Sequence, residues 1–75
     1  MDPTDTLDAR GLLCPLPVLK AAKRLRAMSP GDILRVEADD PAAVVDIPHF
    51  CRETGYELLE ADTVSAIQIY LIQKT

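Results

Sequence analysis

The chain has 75 residues, 48% of them hydrophobic and 27% charged, with a formal net charge of −4. That length supports one hydrophobic core and not two, and the composition excludes disordered and low-complexity classes. With no Trp and only Phe50, Tyr56 and Tyr70 as aromatics, a stacking platform for single-stranded nucleic acid is excluded as well.

Thr6 to Ala9, flanked by turn formers, is read as a short first strand. From Pro15 to Met28, apolar residues recur at Val18, Leu19, Ala22, Leu25 and Met28, a three-and-four spacing that predicts an amphipathic helix with these residues inward. Ser29-Pro30-Gly31-Asp32 stops it. Asp32 to Ala38 alternates, with Leu34, Val36 and Ala38 on one side and Arg35 and Glu37 on the other, so it reads as a strand with one wet face.

Asp39-Asp40-Pro41 is the expected start of a second helix, an aspartate cap followed by proline at the first helical position. Val44, Ile47, Phe50 and Cys51 continue it at helical spacing, and Gly55 ends it. Pro48 predicts a kink or a restart, with Asp46 available as a second cap. Tyr56 to Asp62 and Ala66 to Gln73 read as strands joined through a hairpin at Thr63-Val64-Ser65. The order is strand, helix, strand, helix, strand, strand over residues 1–75 as a single domain. The expected fold is an α/β (α+β) two-layer sandwich, a four-stranded mixed sheet with both helices packed on one face.

Charge is unevenly spread along the chain. Residues 1–30 hold five basic and three acidic side chains, whereas residues 31–75 hold three basic and nine acidic ones. The basic group, Arg10, Lys20, Lys23, Arg24 and Arg26, brackets Cys14 in sequence. Its ordinary meaning is a solvated helix face, and its functional meaning is a patch that stabilises an anion or steers an acidic protein partner. Direct nucleic-acid binding is not expected at this charge balance.

Cys14 and Cys51 lie too far apart for a Cys-x-x-Cys pair or for paired zinc-ligand spacing. A zinc site of Cys14, His49 and Cys51 lacks a fourth ligand, so neither metal nor cofactor is expected. No apolar run is long enough to span a bilayer, and Met-Asp-Pro-Thr-Asp lacks the features of a secretory signal. A reducing cytoplasm with free thiols is therefore expected, without membrane association. Cys51 falls on the apolar stripe of the second helix and reads as a buried core thiol, while His49 reads as an exposed helix residue.

Cys14 is the residue with chemical potential. If the first helix begins at Pro15, Cys14 is its N-cap, where free amides and the positive helix end favour a thiolate. Gly11 lets the chain turn in, and Pro15 and Pro17 occupy positions whose amides have no intrahelical partner. Half-ionising an ordinary thiol at neutral pH takes about 2 kcal/mol. A helix terminus contributes roughly 0.3–1 kcal/mol, so a cation must supply the rest, and Arg10 is the nearest in sequence. Lys20 and Lys23 point away from the first turn. The local pattern leaves two readings of Cys14 open, a small cap and a reactive thiol.

The stretch Leu7-Asp8-Ala9-Arg10-Gly11-Leu12-Leu13-Cys14-Pro15-Leu16-Pro17-Val18-Leu19-Lys20 resembles the signature of the TusA/SirA-like sulfur-carrier family, marked by Cys-Pro-x-Pro at the opening of the first helix. The likeness extends through Pro30-Gly31-Asp32, Asp39-Asp40-Pro41-Ala42-Ala43, Asp46-Ile47-Pro48 and Thr54-Gly55-Tyr56-Glu57-Leu58. The resemblance implies the same two-layer fold and a sulfur carrier in which Cys14 accepts sulfur as a persulfide and hands it on. It implies a sulfur-donor protein, a cysteine desulfurase or rhodanese, and a sulfur-acceptor protein of DsrE type or similar. It further implies a role in tRNA thiolation, sulfur oxidation, or molybdenum-cofactor or selenium metabolism. A monomer is expected. Arg10, Lys20, Lys23 and Arg24 are then expected to aid the thiolate or partner docking. The alternative is a non-catalytic protein-interaction or regulatory module on the same fold, and a thiol-disulfide oxidoreductase pairing Cys14 with Cys51 is a third reading.

Overall fold

Six elements follow one another in the computed structural model, which describes residues 2–75: β1 (Asp5–Asp8), α1 (Leu16–Arg26), β2 (Ile33–Ala38), α2 (Ala43–Thr54), β3 (Glu57–Val64) and β4 (Ile67–Gln73). The strands form one mixed sheet in the spatial order β1-β2-β4-β3. β1 and β2 are parallel, as a helical crossover between them requires, whereas β4 is antiparallel to both of its neighbours.

Register decides which residues meet the helices. Leu7 pairs with Val36, which pairs with Tyr70, and Leu34 pairs with Ile72. These side chains form one buried cluster with Ala21 and Leu25 of α1 and with Ile47, Phe50 and Cys51 of α2. Both helices therefore share one face of the sheet. Leu25, Leu34, Val36, Ile47 and Ile72 are its largest fully buried side chains, each contributing about 1.5–3 kcal/mol of transfer free energy. The opposite face carries Arg35 and Glu37, hydrogen-bonded at 3.1 Å.

One extra residue in β3 changes the parity of that strand. Leu58 pairs with Ile72 and Glu60 with Leu71, so the irregularity at Leu59 turns Leu58 toward the core and Glu60 away from it. The hairpin turn is Ser65-Ala66, both at positive φ (52° and 67°), and not Thr63-Val64-Ser65. A two-residue loop with both φ positive matches the right-handed strand twist, which outweighs the poor local preference of Ser and Ala for that region.

Further expectations for the two helices are corrected. α1 buries Pro17, Ala21 and Leu25, with Val18, Ala22 and Met28 at the margin, and leaves Leu19 55% exposed, so the stripe is rotated. Its last turn ends at Arg26, where the Leu25 carbonyl accepts a hydrogen bond from Lys74 Nζ at 2.8 Å. α2 begins at Ala43 after an Ala42 cap, not at Pro41, and runs through Pro48 without a restart. The carbonyl that Pro48 leaves without a donor belongs to Val44, an exposed residue. Gly55 closes α2 as expected, at φ 83° with its amide donating to the Cys51 carbonyl at 2.9 Å.

Candidate functional site at Cys14

The segment between β1 and α1 has no regular structure, and two consecutive aspartates fasten it. The Gly11 amide donates to Asp39 Oδ1 at 2.9 Å, with Gly11 at φ 79°, a conformation that glycine adopts without strain. The Cys14 amide donates to Asp40 Oδ2 at 2.7 Å. Asp40 is itself held in place. Its other carboxylate oxygen accepts from the Ala42 amide at 3.3 Å, and its carbonyl accepts from Gln68 Nε2 at 2.9 Å. The buried Tyr70 hydroxyl donates to Gln68 Oε1 at 2.6 Å, completing a chain of contacts from β4 to the thiol-bearing residue. The Asp39-Asp40 side chains thus act mainly as a tether across the fold, and only one carboxylate oxygen serves the start of α2.

Cys14 is exposed and stands one residue before the α1 cap, which is Pro15, so the expected placement at the N-cap is corrected by one position. The Cys14–Pro15 peptide bond is cis. Of the first amides at the helix end, only that of Val18 is left for the sulfur in this arrangement. Pro15 and Pro17 have no amide hydrogen, the Leu16 amide donates to the Leu13 carbonyl at 2.9 Å, and the Cys14 amide is committed to Asp40.

The thiol lies on a shallow groove between the helices, lined also by Pro15, Val18, Asp46, His49, Phe50 and Glu53. The half-buried Asp46 carboxylate shares this groove with it. Hydrogen bonding to Asp46, desolvation and the negative charges of Asp46 and Asp40 push the Cys14 pKa above the ordinary thiol value. The groove therefore favours the thiol over the thiolate, opposite in direction to the effect expected of a helix end. Asp46, expected as a second helix cap, lines the groove beside the thiol.

The basic residues do not converge on this groove. Arg10 is paired with Asp8 through contacts of 2.9 and 3.0 Å, with Glu37 4.0 Å away, and so is engaged at the end of β1. The bidentate carboxylate holds Arg10, the residue expected to serve the thiolate or partner docking, and Arg10 does not line the groove. Lys20, Lys23 and Arg24 line a different concavity with Leu7 and Ala27, and Arg24 is tied to Asp5 at 2.7 Å. Leu13 and Leu16, either side of the Cys-Pro pair, are exposed, as is Val45 next to Asp46.

His49 is exposed as expected, yet it shares the Cys14 groove, with its Nε2 3.6 Å from Glu53. Cys51 is 3% exposed in the core, and burial raises its pKa. Among the described residues there is no cluster of three or more His, Cys, Asp or Glu able to hold a metal ion. No helix among them is long and apolar enough to cross a membrane.

A two-layer α+β domain that presents one exposed cysteine just ahead of its first helix, over a groove between two helices, defines a class of small thiol-presenting proteins. Residues 5–74 match the family described as Sulfurtransferase TusA, and the chain belongs to that family. It is also similar to the crystal structure of a SirA-like protein from Desulfitobacterium hafniense, with a TM-score of 0.81 and 25% sequence identity over 92% of this chain and 95% of that one. Sulfur transfer in relay with partner proteins is the role that family membership brings.

Proposed function

We propose that the protein is a sulfur carrier that takes sulfane sulfur onto Cys14 as a persulfide and passes it to an acceptor protein. The observation that carries this reading is the single exposed cysteine, tethered through Asp40 and placed on a groove open to a partner. A second thiol able to discharge the sulfur internally is not at the surface, because Cys51 is buried. In the transfer, the Cys14 thiolate attacks the outer sulfur of the donor's persulfide. The donor's S–S bond breaks, the new S–S bond forms on Cys14, and the donor departs as a thiolate that takes up the proton. No external oxidant or reductant is needed.

A cysteine desulfurase or a rhodanese fits the donor role and a DsrE-type protein the acceptor role, in the cytoplasm, with tRNA thiolation or sulfur oxidation among the pathways served. Pro15 and Pro17 set the start of α1, and Lys20, Lys23 and Arg24 form a separate basic surface for partner docking. The alternative, an interaction module without sulfur chemistry, draws on the exposed Leu13, Leu16 and Leu19. Incubation with a cysteine desulfurase and sulfur-labelled cysteine separates the two. Label and a mass gain of about 32 Da are expected on the Cys14 peptide of the wild type and of Cys51→Ser, and neither on Cys14→Ser. Undiminished labelling of Cys14→Ser overturns the carrier reading.

A further inference from the structure

We propose that Asp46 is a positioning residue for Cys14, holding the thiol protonated and facing the groove while the carrier is alone, so that ionisation waits for a docked donor whose cationic group offsets the Asp46 charge. This rests on the reading of Cys14 as the sulfur site.

Four observations support it. Most amides that would stabilise a thiolate are spent or missing, since Leu16 donates to Leu13, Cys14 donates to Asp40, and positions 15 and 17 are proline, which leaves only the Val18 amide. The cation nearest in sequence, Arg10, is bound to Asp8 with Glu37 beside it. The charged and titratable groups facing the thiol are Asp40 before α2 and Asp46, His49 and Glu53 on α2, three carboxylates against one imidazole that is itself turned to Glu53. α1 presents Pro15 and Val18 there and no charge. Asp46 and the thiol line one groove, in agreement with the raised Cys14 pKa, whose first cause is hydrogen bonding to Asp46.

The arrangement suppresses wasteful chemistry. A protonated thiol is a poor nucleophile and resists oxidation to the sulfenic acid, so a carrier waiting for its donor keeps its sulfur site intact. On docking, an ammonium or guanidinium paired with Asp46 removes the acceptor and the repulsion together. Cys14 then loses its proton and attacks the donor persulfide, with the atom and proton balance given above.

The test is the pH profile of carbamidomethylation of the Cys14 peptide by iodoacetamide, read by mass spectrometry for wild type, Asp46→Asn, Asp46→Ser and Asp46→Glu, with Asp62→Asn as control. Loss of the carboxylate is expected to lower the midpoint by about one pH unit, giving about tenfold more thiolate at pH 7. The lower basicity of that thiolate reduces the net gain in rate to about threefold. Asp46→Glu and Asp62→Asn should keep the wild-type profile. In parallel, wild type should form a mixed disulfide faster with cystamine, a dication, than with 3,3′-dithiodipropionate, a dianion, and Asp46→Asn should lose part of that preference. Midpoints of Asp46→Asn and Asp46→Ser that overlie or exceed wild type overturn the proposal. Because alkylation requires no persulfide, that outcome is distinct from failure of the carrier reading, which is decided by sulfur loading of Cys14→Ser.

Discussion

Asp40 is the residue on which the position of Cys14 depends, and its replacement by alanine gives a measurable test. Asp40→Ala removes the acceptor for the Cys14 amide at 2.7 Å and for the Ala42 amide at 3.3 Å. A hydrogen bond to a charged group contributes about 1.5–3 kcal/mol when shielded, and exposure at Cys14 reduces this to about 1 kcal/mol because water replaces the carboxylate. The contact to Ala42 acts as a helix cap of about 0.5–1 kcal/mol. Together they predict a loss of about 1.5–2 kcal/mol, which lowers the urea midpoint by about 1.5–2 M at a slope of about 1 kcal/mol/M. Asp40→Asn keeps one acceptor oxygen and should lose about half as much. Urea unfolding followed by far-UV circular dichroism supplies the stability, and hydrogen exchange of the Cys14 amide supplies the local reading. Exchange should accelerate in Asp40→Ala at least as much as global stability falls. A loss below about 0.5 kcal/mol, with unchanged exchange at Cys14, refutes the tether.

Two further outcomes are expected. Tyr70→Phe leaves Gln68 Oε1 buried without its donor, since Gln68 and Tyr70 are 7% and 3% exposed, and should destabilise by about 1–3 kcal/mol in urea unfolding; Gln68→Leu combined with it should cost less than the two changes added. Arg10 holds the Asp8 carboxyl at a pKa of about 2, below its unfolded value of 3.8, so the Asp8 contribution is present above the unfolded value and lost as pH falls toward 2. The urea midpoint of wild type should therefore drop between about pH 4 and pH 2 more steeply than that of Asp8→Asn, with Asp5, lowered by Arg24, adding a residual slope to both. Parallel curves would remove Asp8 from the account.

Local patterns made much of the fold readable. The alternation over residues 33–38 became a strand with Leu34, Val36 and Ala38 buried, and Gly55 ended α2 in the left-handed conformation that few other residues accept. The order of elements and the shared helix face followed from the same periodicities. What escaped has a common cause in distance along the chain. Whether Asp39 and Asp40 cap the nearest helix or reach back to Gly11 and Cys14 depends on the packing of β2 beside β1, which no local window contains. Arg10 is four residues from Cys14, yet Asp8 is closer in sequence and offers two oxygens. Ser65-Ala66 lacks the Gly or Asn that would mark its turn, because strand pairing on both sides imposes the geometry.

The tethers on Gly11 and Cys14 span 28 and 26 residues, which ties the chemistry of the sulfur to the history of the chain. Before β2 and α2 are in place, Cys14 has neither Asp40 nor Asp46 beside it and ionises as an ordinary cysteine. Folding then lowers the reactivity of its own nucleophile. A newly made or transiently opened molecule is therefore the form most open to stray oxidants, although Cys14, exposed in the folded chain as well, reacts with a neutral alkylating agent in both forms.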